Sequence, residues 1–463
     1  MKIFENYAIL EGDAPALVTE MTNSTGMTKD SGSEKGIPVT PVGHKDSIEF
    51  YPWGQNNDLP SKLIDLSYKN NVLASNLDFN ARIGYGEPIM PARVKVDEKS
   101  GEIKHIPLMR SEAPEIFSFL EENNYSLIQQ ELSHDLSLLH NGFIELIFNK
   151  ARTKIVQIRF KEAAFSRLSV MNDNGEIEWH GYSADWNNQI IGEGKVIVTR
   201  LLDYDNPLYD LRVKLGQRPG RTGNKVKLND SRYMLHIGQP SPGKFYYQKA
   251  YWWSIFESHW FDFACAIPEF KMNLMKNQMV LKYHVQYRKG YFEDMYKAEN
   301  ITDPKEKVAR KKQFFEDLES FLSGKENAGK NIASEIEYKY IDKSIQVQDL
   351  IITPIKSFIE GGEYIEDSEE ASNAICYAMG VHPSLQGASP GKNKNINGTE
   401  ARELFIIKQS MMKPTRDLLV QPLRVVKAIN GWPEDIDFMI PNIMLTTLDK
   451  NTGAEKQIGN TKV

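Results

Sequence analysis

The stretch that decides the architecture is residues 246–281, YYQKAYWWSIFESHWFDFACAIPEFKMNLMKNQMVL. It is compatible with a helix throughout, interrupted part-way by Pro268, which has no amide hydrogen and crowds the preceding turn. At about 1.5 Å of rise per residue such a segment reaches on the order of 50 Å, long for a globular domain. Its aromatic stripe, Phe245 to Phe263, is the densest apolar feature of the chain. Surfaces that stack bases interleave aromatics with Lys and Arg. Between Tyr251 and Phe263 the charged residues are instead Glu257 and Asp262, so the stripe reads as packing within or between subunits.

Upstream, two Pro/Gly-rich pieces, 216–223 and 238–243, separate this segment from a lobe of a different character. Short β-type runs at 143–148, 155–160, 176–179 and 196–199 lie between turn clusters and predict an antiparallel sheet. Pro60 or Ser61 opens a helix carrying Leu63, Leu66, Leu73, Leu77 and Ile83, which Gly84-Tyr85-Gly86 ends; a second helix spans 113–139. The fold class is therefore α+β. Residues 11–46 are rich in Gly, Ser, Thr and Pro and cannot offset their own ordering entropy, which predicts an extended arm over 1–50.

Downstream, 283–350 is a charged insertion with a Lys/Glu-rich helix from Asp303-Pro304 to Leu322 and strand-like segments at 335–341 and 345–352. Asp367 or Ser368 caps a helix that Gly380 terminates, and His382-Pro383 marks the stop. A polar loop, 386–398, leads to a helix from Thr399 to about residue 430, kinked at Pro414 with Pro422 as a second point of bending. A β-type run at 436–448 and a polar tail close the chain.

The 463 residues exceed what one core organises, so two or three lobes are expected. With 56 Lys+Arg against 62 Asp+Glu the net charge is −6, which excludes a surface basic enough to clamp nucleic acid all round. Cys265 and Cys376 exclude a disulfide framework and read as buried thiols. No apolar run approaches the roughly 18–20 residues that span a bilayer, and residues 1–10 lack a signal-peptide pattern, so synthesis in a reducing, intracellular compartment is expected.

No catalytic constellation stands out. Gly387-Ala-Ser-Pro-Gly391-Lys392-Asn393 resembles a phosphate loop, but three residues separate its glycines and Asn393 replaces the hydroxyl residue that holds magnesium. A loop between two helices whose Lys392 and Lys394 touch an anion is the plainer reading. His134 and His140 stand six apart and share no helix face, and His259, among Trp252, Trp253 and Trp260, reads as a packing residue. Asp203 and Asp205 could flank a metal, yet a lone pair in a loop is usually solvated. The sequence thus predicts no catalytic residue, no cofactor and no metal.

Four motifs then line up with one family. Tyr51-Pro52-Trp53-Gly54-x-x-Asn57-Asp58-Leu59-Pro60 resembles the N-terminal motif of tailed-phage portal proteins. Asn373 to Leu385 is similar to their helix ending in a Gly-Val-Pro-Pro type turn, with His382 in place of the commoner proline. Gly398-Thr399-Glu400 resembles the helix start after their polar loop, and Gly324 to Lys330 a Gly-x-x-Asn-Ala-Gly-Lys element that ends their clip. The order and spacing of these motifs cover about residues 48–430.

The resemblance implies a wing over 51–245, a stem helix over 246–282 and a clip over 283–350. A stem return and wing helix would follow over 351–385, then a tunnel loop over 386–398, a kinked wing helix over 399–430 and a short C-terminal segment over 431–463 with minimal crown. It further implies a ring of twelve subunits at one capsid vertex, made in a bacterial host's cytoplasm and built into the virion. The implied partners are double-stranded DNA held without sequence specificity, terminase, a head-completion or adaptor protein and the major capsid protein, with no membrane. The residues expected to face DNA are Lys392, Asn393, Lys394 and Asn395. Other virion structural proteins, such as a head-completion component, and a nucleotide-using enzyme are the alternative readings.

Overall fold

A computed structural model of the chain describes residues 2–3, 7–10, 16–19, 37–39, 47–96, 103–186, 195–220, 223, 227–278, 283–323, 337–339, 345–347, 350–354, 363–386 and 398–443. Residues Met1–Ile267 and Tyr364–Val463 form one unit, and Pro268–Glu363 form a second.

In the first unit, β1 (Lys2–Ile3), β2 (Tyr7–Leu10) and β3 (Ala16–Thr19) pair antiparallel. The predicted arm is also tied down near its end. There, β4 (Ile37–Val39) pairs with β5 (Ile48–Phe50), and buried Val39 packs in a small cluster with Phe50, Trp186 and Val196.

Asparagine pairs then split each helix that the apolar pattern joins. α1 (Leu59–Lys69) and α2 (Asn71–Tyr85) part at Asn70, whose extended backbone ends one helix and whose side chain accepts the Leu73 amide at 2.9 Å to cap the next. After β6 (Met90–Val96) and β7 (Ile103–Pro107), α3 (Pro114–Glu122) and α4 (Tyr125–Leu139) part at Asn123-Asn124, where Asn124 is left-handed at φ 46°.

The central sheet holds β8 (Asn141–Phe148), β9 (Ile155–Lys161), β10 (Ser166–Leu168), β11 (Trp179–Tyr182), β12 (Ile197–Leu201) and β13 (Arg232–Gly238) in the order β10-β11-β12-β13-β8-β9. It is mixed rather than antiparallel throughout. β12 and β13 run parallel because α5 (Pro207–Lys214) lies in the crossover between them, and a crossover returns the chain in the same direction. Both faces are covered. Ile144, Leu146, Tyr233 and Leu235 pack with α3, α4 and later elements, whereas Phe143 and Met234 join Trp53, Leu73 and the aromatic segment on the other side.

The aromatic segment is not one long helix. Residues 246–250 are irregular, 251–253 form a 3-10 turn, and α6 (Ser254–Glu257) precedes α7 (Trp260–Gln278). The break falls at His259, left-handed at φ 61°, and α7 continues through Pro268. At 1.5 Å per residue the 19 residues of α7 span about 28 Å, roughly half the expected reach. Packing explains the difference: Tyr246 and Tyr247 stack on Tyr51 and Trp53 at 3.8 and 4.2 Å, which holds this stretch in the core.

In the second unit, β14 (Tyr283–Tyr287) pairs antiparallel with β17 (Leu350–Pro354). Between them lie α8 (Tyr291–Ala298), α9 (Pro304–Ser323), β15 (Glu337–Lys339) and β16 (Ile345–Val347). Phe292, Phe314 and Phe315 make a compact aromatic cluster between α8 and α9. The chain returns through α10 (Glu363–Ala378), which starts some residues before the predicted cap, then α11 (Gly398–Met411) and α12 (Lys413–Asn430). Pro414 stands in the first turn of α12, where its missing amide costs nothing, so the predicted kink is a break between two helices. Lastly β18 (Ile436–Met439) pairs with β6, beside α12.

Candidate functional site

Lys392, Asn393, Lys394 and Asn395 lie outside the described residues, as do the phosphate-loop-like string Gly387–Asn393 and the Gly324–Lys330 motif. What the structure places are the residues that precede 392–395, through Gln386, and those that follow, from Gly398. α10 ends in a Schellman turn: the Val381 amide donates to Cys376 O at 2.9 Å and the Gly380 amide to Tyr377 O at 3.0 Å. Gly380 is left-handed at φ 60°, and buried Val381 supplies the apolar contact that accompanies such turns. His382 then does what a proline in its place cannot. Its Nδ1 accepts the Ser384 amide at 3.3 Å and caps a short 3-10 turn, 383–385.

Two of the carbonyls left over at this helix end are taken by side chains from elsewhere. Asn80 of α2 donates to Met379 O at 3.1 Å, and Lys408 of α11 donates its ammonium to Gly380 O at 2.9 Å. Lys408 is buried, which lowers its pKa to about 8, while the helix C-terminus it faces favours a cation. Gln386, the last described residue before the loop, is held by Ser75 and Asn76 of α2.

The N-terminal motif is a structural knot. Gly54, at φ 83°, makes the turn; a Cβ there would stand 2.7 Å from that of Leu59. Left-handed Asn57 accepts the Trp53 amide at 2.9 Å and also the Nε of Arg167. That guanidinium is 1 % exposed and donates further to Asn57 O, Ala164 O and Ser166 O, with the rings of Trp53 and Trp186 within 6 Å. Burial lowers the Arg167 pKa to about 10. Four of its five N–H donors are spent on the fold. Nothing in the sequence around Arg167 marks it.

The remaining candidates disperse. His134 is exposed and His140 buried, and burial lowers His140 to about 4. His259 is not a packing residue: it is exposed at the break before α7, with Nδ1 3.5 Å from Asp262. Asp203 accepts the amides of Asp205 and Asn206, which is turn chemistry rather than a metal pair. Cys376 is buried and Cys265 half-buried, and burial raises both thiols. Among the described residues no group of three His, Cys, Asp or Glu is placed to hold a metal ion, and no helix is long and apolar enough to cross a membrane.

Neither a protein-family model nor a curated protein sequence matches the chain. Its fold does have solved counterparts. It is similar to a chain in the virion of a native gene transfer agent particle, with a TM-score of 0.52 and 14% identity over 86% of this chain and 87% of that one. A chain in the neck of an empty gene transfer agent particle, computed with C6 symmetry, matches with a TM-score of 0.51 and 14% identity over the same shares. The chain thus has a mixed α+β fold shared, nearly end to end, with chains of those particles.

Proposed function

We propose that this chain is the subunit of a portal ring at one vertex of a phage-type capsid. Through the ring's channel double-stranded DNA is packaged and ejected, and on it terminase and a head-completion or adaptor protein dock. One observation carries the reading: the fold shared with a virion chain over 86% of this protein and 87% of that one. The four sequence motifs support it independently of the fold. So does the layout in which an inserted unit, Pro268–Glu363, interrupts the first unit from within α7 to the start of α10.

In this reading the chain is not an enzyme, and Lys392, Asn393, Lys394 and Asn395 face the DNA. Head-to-tail contacts that close by rotation present one such loop per subunit to the axis. A few lysines per copy meet phosphates by weak, exchangeable contacts, and a sliding duplex requires contacts of that kind. Negative-stain averages of the assembled protein are expected to show a ring with a central hole, of twelve subunits in the particle. Lys392→Glu with Lys394→Glu is expected to leave the ring intact and reduce packaged genome length. A chain that never forms a ring, or full-length genomes in the double variant's particles, refutes the ring or the DNA-facing loop respectively.

A further inference from the structure

Asn76 is fully buried in the middle of α2, a position where asparagine weakens a helix and leucine would fill the core. Yet each of its polar atoms is engaged. Nδ2 donates to Val72 O of its own helix at 2.9 Å and to the Cys376 Sγ of α10 at 3.3 Å. Oδ1 accepts from Gln386 Nε2 at 3.1 Å. The preceding residue repeats the grip: Ser75 Oγ donates to Gln386 Oε1 at 2.7 Å, and Ser75 O accepts from Gln386 Nε2 at 3.3 Å. One turn further along α2, Asn80 holds Met379 O. Thus the face of α2 from residue 75 to 80 binds the last turn of α10 and, ten residues beyond Cys376, the side chain of Gln386.

Packing alone does not call for this arrangement. The bonds join segments some 300 residues apart in sequence, at the cost of a buried amide that an apolar residue would avoid. The bonds that close the Schellman turn and the 3-10 turn between Met379 and Gln386 are local and do not involve α2. Their placement is what α2 supplies.

We propose that α2 is the mount for the chain leaving α10, with Asn76 as the positioning residue that fixes the α10 end and Gln386 to one rigid face. The functional consequence rests on the channel reading: every subunit then starts its loop from the same point, whatever force the DNA exerts on it. The mount itself does not depend on that reading.

The test is amide hydrogen exchange on the full-length protein. Gln386→Ala removes bonds at a partly exposed position. It is expected to speed exchange at Leu385 and Gln386 about five- to tenfold while α2 amides and the melting temperature stay unchanged. Gln386→Glu keeps the acceptor for Ser75 but loses both donor bonds, and is expected to fall between. Asn76→Leu is expected to loosen 379–386 while α2 becomes no less protected. Wild-type exchange at 385–386 in Gln386→Ala overturns the mount, even if Asn76→Leu fails to fold. If exchange responds but Lys392→Glu with Lys394→Glu leaves packaging untouched, the mount stands and the DNA-facing loop fails.

Discussion

Arg167 shows how much a single side chain can organise. Its four bonds run to acceptors that lie, with it, in the buried knot around Asn57 and residues 164–166. Among the described residues no carboxylate bonds it; carbonyl dipoles and ring faces, with the charge of Asp58, stabilise the guanidinium. Arg167→Met would remove four buried bonds and leave Asn57 Oδ1 with the Trp53 amide as its remaining donor, and a loss of about 3 kcal/mol in unfolding free energy is expected. Arg167→Lys keeps the charge but not the fork and should recover only part of that. Urea titrations of the two variants against the parent check both statements. At this scale the sequence was readable where it carried a motif: the turn residues Gly54 and Asn57 stand out, whereas their partner more than a hundred residues away does not.

At the level of elements, helix type and position were legible because apolar spacing reports which face is buried. Helix continuity was not. Asn70 and Asn123-Asn124 interrupt the helices without interrupting the apolar pattern, since a capping asparagine or a left-handed one turns the axis while the next helix resumes the same face. The opposite error occurred at 246–250, where aromatics that suit a helix are held irregular by stacking on Tyr51 and Trp53. The loop ends were half legible: Gly380 announces the Schellman turn, but nothing local marks Asn76 or Lys408 as its partners. Close approach of elements gives a sharp test. A Cβ on Gly142 of β8 would stand 2.2 Å from Leu132 Cδ1 of α4. Gly142→Ala should therefore force the buried Leu132 side chain to repack and cost about 1–3 kcal/mol, read as a lowered denaturation midpoint at unchanged m-value.

Over the whole molecule, buried titrating groups give the first unit a defined pH response. Burial lowers His180 and His236 to about 3 and His140 to about 4, from an ordinary 6.5. Between those values the unfolded chain takes up protons that the folded one refuses. The contribution of these neutral imidazoles is thus present above about pH 6.5 and lost as pH falls toward 3–4. Asp135, which accepts the Ala163 amide at 2.7 Å, works the other way. Burial, with Glu162 and Glu131 nearby, raises it to about 8, so its contribution is present below about pH 4 and lost as pH rises through 8. Melting temperatures measured from pH 8 to 4 should therefore fall on the acid side. His180→Phe, which removes two buried ring nitrogens with no hydrogen-bond partner among the described residues, should flatten that fall.

The pairing of β18 with β6 joins Ile436–Met439 to Met90–Arg93 and completes a sheet from opposite ends of the chain. The inserted unit, by contrast, is drawn from one continuous stretch, Pro268–Glu363. During synthesis the insertion can therefore assemble as soon as it leaves the ribosome, while the first unit waits for the last strand. Such distant closure makes folding slow and leaves β6 without that neighbour for most of translation. The order of manufacture thus runs from the inside of the sequence outward.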